Sequence, residues 1–156
     1  MAEYSAIGPQ TIPAGGYAVF DAVVVPCNMD LVQHESNSPL FSLSGLNSNG
    51  PHCPCKPQRR AEYVLDFSGN IAVAEGGTPG EISLAFAIGG VTDPGSIMRV
   101  TPAAVGDYFN VSRAKTVSIF NNCCQQVAIQ NTSTQPITLS EGILRILLSY
   151  PNPWTL

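Results

Sequence analysis

Charge is scarce in this chain. Asp, Glu, Lys and Arg make up 12% of its 156 residues, about half the usual ~25%. Only seven residues are Lys or Arg against eleven Asp or Glu, giving a net charge of −4. The basic residues are scattered apart from Lys56, Arg59 and Arg60. That cluster is too small to track a nucleic-acid backbone, so no nucleic-acid partner is expected. No apolar run approaches the ~20 residues of a membrane-crossing helix, so no membrane span is expected. The opening MAEYSAIGPQTIPAGG has neither a basic n-region nor an apolar h-region, and no secretory leader is read there. Helical periodicity is missing as well. No stretch of ~10 or more residues repeats its apolar positions every three to four.

Reaction chemistry is equally thin. The two histidines, His34 and His52, fall in expected loops, and neither stands at metal-ligand spacing from another histidine. There is no G-x-S-x-G, H-E-x-x-H, P-loop or dinucleotide glycine motif. Glu62 and Asp66 share one expected strand and stand apart from Glu75, Glu81 and Asp93. A sugar-cleaving carboxylate pair would have to be assembled by folding. The expectation is a non-enzyme with no catalytic residue, cofactor or metal assigned.

What the chain does have is alternation and turn formers. Hydrophobic residues are 44%, with 14 Gly and 13 Pro. The stretch Gly80 to Ala104 reads as strand, turn and strand. Ile82, Leu84, Phe86 and Ile88 alternate with Ser83, Ala85, Ala87 and Gly89, the period of two expected of a strand with one strongly apolar face. Gly89-Gly90 and Asp93-Pro94-Gly95 supply turns, with the return beginning at Ile97. The opposite face, Ser83, Ala85 and Ala87, is small rather than charged, as if another surface comes close. These three are the candidate subunit interface, and Ala85→Arg is expected to break the assembly before it unfolds the chain.

Similar alternation predicts strands over 16–25, 40–44 (Phe41 and Leu43 inward), 61–68 (Tyr63, Leu65 and Phe67 inward) and 70–73. It continues over 115–120 (Val117 and Ile119 inward), 125–131 (Val127 and Ile129 inward) and 142–150 (Leu144, Ile146, Leu148 and Tyr150 inward). The other face of this last strand, Ile143, Arg145 and Leu147, is also largely apolar, which places it centrally or at an interface. Residues 1–10 read as an irregular arm, 31–38 as a loop or short edge strand, 47–60 as the longest loop, and 103–114 as a linker with at most one helical turn. The resulting division is an N-terminal arm 1–12, one β domain 13–150 and a tail 151–156. Eight to ten short strands separated by turns predict an all-β antiparallel sandwich or jelly roll.

The order of these pieces resembles a known family. PAGGYAVF, then FSL and EYVLDF, then ISLAFAIGGVTDPGS, then a closing VAIQNTS, ITL and ILRIL follow in sequence. The pattern is similar to the TNF/C1q-like jelly roll of bacteria and their phages, including exosporium collagen-like glycoprotein domains and phage capsid decoration or head-fibre domains. The resemblance covers about Pro13 to Tyr150. It implies a ten-strand jelly roll assembled as a tight homotrimer and displayed on a particle or cell surface. No collagen stalk precedes the domain, and the cysteine-rich loop from Pro51 to Lys56 is not part of the general pattern.

Five cysteines stand at positions 27, 53, 55, 123 and 124. Five is odd, and Cys27 at a strand end is the expected unpaired one. Cys53, Cys55, Cys123 and Cys124 form the candidate disulfide or crosslink set if their two loops share one end of the sandwich. The alternatives are disulfides within or between chains, a four-thiolate metal site with unusually tight spacing, or free thiols. A bond between the loops would close ~70 residues and stabilise by several kcal/mol. Asn110-Val111-Ser112 and Asn131-Thr132-Ser133 match the glycosylation triplet but read as chance, the second as a hairpin turn. Trp154 is a candidate for docking on a neighbouring subunit.

Three readings follow. The leading one is a trimeric structural protein on a virion surface, decorating a phage capsid or forming a head fibre, with residues 1–10 as its anchor. The others are a spore-surface or filament protein, and a glycan- or receptor-binding module working through the 47–60 loop.

Overall fold

The computed structural model describes residues 1–26, 31–45, 60–120 and 123–149. Among them the regular structure is β apart from one 3-10 turn, in two antiparallel sheets packed face to face. The strands are β1 (Ala2–Ser5), β2 (Gln10–Ile12), β3 (Ala22–Val25), β4 (Val32–His34), β5 (Phe41–Ser44), β6 (Arg60–Val73), β7 (Ile82–Ile88), β8 (Val91–Thr92), β9 (Met98–Val100), β10 (Phe109–Phe120), β11 (Cys124–Asn131) and β12 (Ile137–Ser149). The first sheet runs β10-β6-β12-β1-β3, with β2 also on β12. The second runs β4-β5-β11-β7-β8, with β9 also on β7. This is the expected jelly-roll sandwich.

The alternation places the core as anticipated. Phe41, Leu43, Tyr63, Leu65, Phe67, Ile82, Leu84, Phe86, Ile129, Leu144 and Ile146 are buried between the sheets. Each large apolar side chain contributes about 1.5–3 kcal/mol on burial. At the β4–β5 end, Tyr4, Phe20, His34 and Phe41 form an aromatic cluster. The Phe41 ring stacks on His34 at 4.1 Å and meets Tyr4 and Phe20 edge-on.

Several expectations are corrected. Residues 1–10 are not an irregular arm. β1 lies between β12 and β3 and buries Ala2 and Tyr4. The single strand expected over 16–25 divides near Asp21. Ala18 donates its N–H to Ile129 O in the second sheet, whereas β3 belongs to the first. The Asp21 carboxylate takes the Ile7 N–H at 2.9 Å, where the chain passes between sheets.

β6 is one 14-residue strand rather than two. Gly69 sits inside it because a Cβ there would lie 2.8 Å from the Leu139 side chain. The return after β7 begins at β8, not at Ile97. Gly89 and Gly90 both have positive φ, at 60° and 79°, the two-residue turn that matches sheet twist. The 3-10 turn Pro94–Ser96 then interrupts the return strand before β9, and Asp93 caps it by accepting from Gly95 N. The expected linker over 103–114 is half strand, since β10 begins at Phe109 and pairs with β6 along its whole length. β12 begins at Ile137, with a bulge between Ser140 and Ile143.

Candidate functional site

The strand register sorts the first sheet's residues by face. On β6, β12, β10 and β1 the inward set is the core described above. The outward set falls into rows that run across the strands. One row is Thr116, Val64 and Leu147; the next is Ala114, Asp66, Arg145 and Glu3; the next is Ser112, Ser68, Ile143 and Ser5. Val64, Ile143 and Leu147 are half-buried on this face, and no described segment of the chain forms a layer over it. Charge in these rows is confined to the middle one. There Arg145 Nε meets Glu3 Oε2 at 2.7 Å and Arg145 Nη1 lies 3.8 Å from Asp66 Oδ2. The Glu3 carboxylate raises the Arg145 pKa above its already high value, so the guanidinium is charged at every working pH.

The second sheet's outward face is built differently. Ser83, Ala85 and Ala87 of β7 lie there, as the alternation predicted, at 6%, 0% and 2% exposure. They are covered by their own chain. β11 and β8 flank β7, and the Thr92 hydroxyl donates to Gln130 Oε1 at 2.6 Å across it. Gln130 Nε2 also reaches Gly15 O at 3.2 Å. At the end of the same strand Ser83 Oγ meets Thr132 Oγ1 at 2.7 Å, and Ser133 Oγ accepts from Ser83 N at 2.7 Å. The close approach implied by these small residues is thus accounted for inside one chain.

Asn131, the last residue of the strand expected over 125–131, is the buried end of β11, with 0% exposure. Its carboxamide donates to Ile12 O, Pro13 O and Gln135 O at 3.0–3.1 Å and accepts from Ser133 N at 2.9 Å. Both ends of that carboxamide are engaged in tying the N-terminal segment to the β11–β12 turn. Such a role leaves no period or motif in the sequence.

His34 lies in β4 rather than in a loop. Its Nε2 is 2.9 Å from Phe20 O and its Nδ1 3.1 Å from Leu40 O. Both nitrogens face backbone carbonyls, and whichever carries the N–H donates to one of them, so the ring is a structural tie. Asp93 Oδ2 is 2.9 Å from Lys115 Nζ, its charge partner. That contact holds the Asp93 carboxyl below the usual carboxylate range. Glu81 lies 3.7 Å from Arg99. Glu62 and Asp66 both face outward on β6. Among the described residues, no three His, Cys, Asp or Glu side chains converge as a metal site.

Cys27, His52, Cys53, Cys55, Lys56, Arg59 and Trp154 lie outside the described residues. Cys123 and Cys124 are exposed free thiols. The described residues Gly45 and Arg60 lie near them in the fold. Gly45 N donates to Cys123 O at 2.8 Å, and Arg60 pairs with Phe120, its guanidinium 4.4 Å from the Phe120 ring.

No protein-family model matches the chain, and no curated protein matches it in sequence. Solved structures do resemble it. The globular domain of zebrafish complement 1qA protein superposes with a TM-score of 0.61 at 12% identity, over 97% of this chain and 98% of that one. Eiger TNF from S. frugiperda superposes with a TM-score of 0.59 at 9% identity, over 99% of this chain and 96% of that one. The two-sheet architecture derived above is therefore the TNF/C1q-like jelly roll.

Proposed function

We propose that this chain is a non-enzymatic structural module that assembles as a homotrimer and decorates a particle surface, as a phage capsid decoration or head-fibre protein. The observation that carries the reading is the outward face of the first sheet. Val64, Ile143 and Leu147 lie there among Thr, Ser and Ala, a composition suited to burial against another protein. Charge complementarity favours a second copy as the occupant. The face carries Glu3, Glu62 and Asp66 against Arg145 and, at the end of β6, Arg60, whereas the β9–β10 edge carries Arg99, Arg113 and Lys115. Glu81 and Asp93 engage two of those cations, leaving Arg113 with only the Ile97 carbonyl as its described partner. An acidic face repels its own image, so face-to-face dimers are disfavoured. A face that fits an edge is a heterologous contact, which closes into a ring when the rotation permits.

Light scattering on the purified chain at micromolar concentration tests this directly, with electron microscopy of the particle it decorates. Three copies per assembly and regular surface density are expected. A monomer that binds no particle would sink the reading. One observation favours a spore-surface or filament layer instead, the pair of exposed thiols at Cys123 and Cys124. Subunits that require reductant to dissolve would select that alternative.

A further inference from the structure

We propose that Arg145 is the polar anchor through which a second copy docks on the outward face of the first sheet. This inference rests on the assembly proposed above.

Arg145 sits near the middle of the first sheet's outward face, whereas Arg60, the other described cation in outward phase, lies at the end of β6 over the Phe120 ring. Ile143 and Leu147 flank Arg145 along β12; Asp66 and Glu3 flank it across the sheet. The two carboxylates come from strands on opposite sides of β12, so they hold the guanidinium from both directions. Glu3 takes the Nε hydrogen, Asp66 draws Nη1, and neither N–H of Nη2 has a described partner. Arginine has five N–H donors in a rigid fork. The unused ones are preset for acceptors supplied from outside the chain.

The surroundings make such a contact effective. Val64, Leu147 and Ile143 would exclude water around it once covered, the arrangement in which one arginine dominates an interface. The partner is a second copy presenting its β9–β10 edge. That edge supplies backbone carbonyl and hydroxyl acceptors for Arg145, and Arg113 to meet Asp66 and Glu62. A lysine at 145 would keep the charge and lose the fork.

The test measures dissociation of the intact chain by mass photometry and sedimentation, comparing wild type with Arg145→Met and Arg145→Lys. Thermal melts would establish that each variant is folded. For Arg145→Met the midpoint concentration for dissociation should rise about 30-fold or more, with Arg145→Lys intermediate. A trimeric wild type whose folded Arg145→Met variant dissociates at the same concentration overturns the anchor and leaves the assembly standing. A monomeric wild type overturns both. A wild type that assembles only with a different protein overturns the second copy as occupant.

Discussion

The two sheets share one core but differ on their outward faces. The second sheet closes its own face. Small residues on β7 let the Gln130–Thr92 hydrogen bond cross above them, and Ser83 joins Thr132 and Ser133. The first sheet leaves half-buried aliphatic residues facing outward on either side of the Asp66–Arg145–Glu3 row. Small residues on a strand therefore mark two different situations. One is a partner chain approaching closely; the other is the strand's own neighbours reaching over it. On β7 the second is what the structure contains. On β12 the residues are not small, and their apolar character points outward with no described cover.

The largest expected effect comes from breaking the self-closed end of the second sheet. Asn131→Ala removes a buried carboxamide whose two N–H donors are shared among the carbonyls of Ile12, Pro13 and Gln135. A loss of about 3 kcal/mol is expected. In a chain of this size it lowers Tm by about 6–12 °C, measurable by calorimetry. A variant within a degree of wild type would show that the network is dispensable.

Ala85→Leu should follow. The methyl group lies fully buried beneath the Gln130–Thr92 bond, and overpacking there costs about 1–3 kcal/mol. The effect should appear in urea unfolding of the single chain. This replaces the expectation that Ala85→Arg breaks an assembly before it unfolds the chain. If substitution at Ala85 changes stoichiometry while the monomer's stability is untouched, the contrast between the two faces is wrong.

Leu147→Asp tests the opposite face and should do the reverse. Its monomer should keep its stability within about 0.5–1 kcal/mol, as for a surface site, while the assembly is lost in light scattering. Unfolding of that variant instead would mean the face is covered by its own chain.

The smallest effect concerns the Asp93–Lys115 pair, which joins the second sheet's return strand to the edge of the first. Asp93 has a folded-state pKa below its unfolded value. Its contribution is therefore present above the ordinary carboxylate range and fades as pH falls through the depressed value. Lys115→Met should cost about 1 kcal/mol at neutral pH and flatten the acid limb of the stability curve. An unchanged acid limb would remove this pair from the account.

Much of the fold was legible because alternation is a local signal. Tyr63, Leu65 and Phe67, Phe41 and Leu43, and Leu144 and Ile146 were each assigned inward from period alone, and each is buried. The misses have physical causes. β1 is four residues long, too short for a period to stand out, and it is a strand because β12 and β3 pair with it. The first half of β10 was hidden by its composition. Asn110, Ser112, Ala114 and Thr116 face outward without strong polarity, and Arg113 and Lys115 occupy inward-phase positions at an edge where they reach Ile97 O and Asp93. Gly69 suggested a break that the close approach of Leu139 turns into a requirement for glycine.

Composition and period alone determined the all-β class, the inward phase of the main strands, the paired-glycine turn and the lack of a local catalytic motif. Each depends on residues a few positions apart. Only the tertiary structure decided which outward face is closed and which is open. Glu3 and Arg145 are 142 positions apart, Gln130 and Gly15 are 115 apart, and Asn131 and Ile12 are 119 apart. A contact between residues so distant has no periodic trace, because it exists only once β1 lies against β12 and the N-terminal segment against β11.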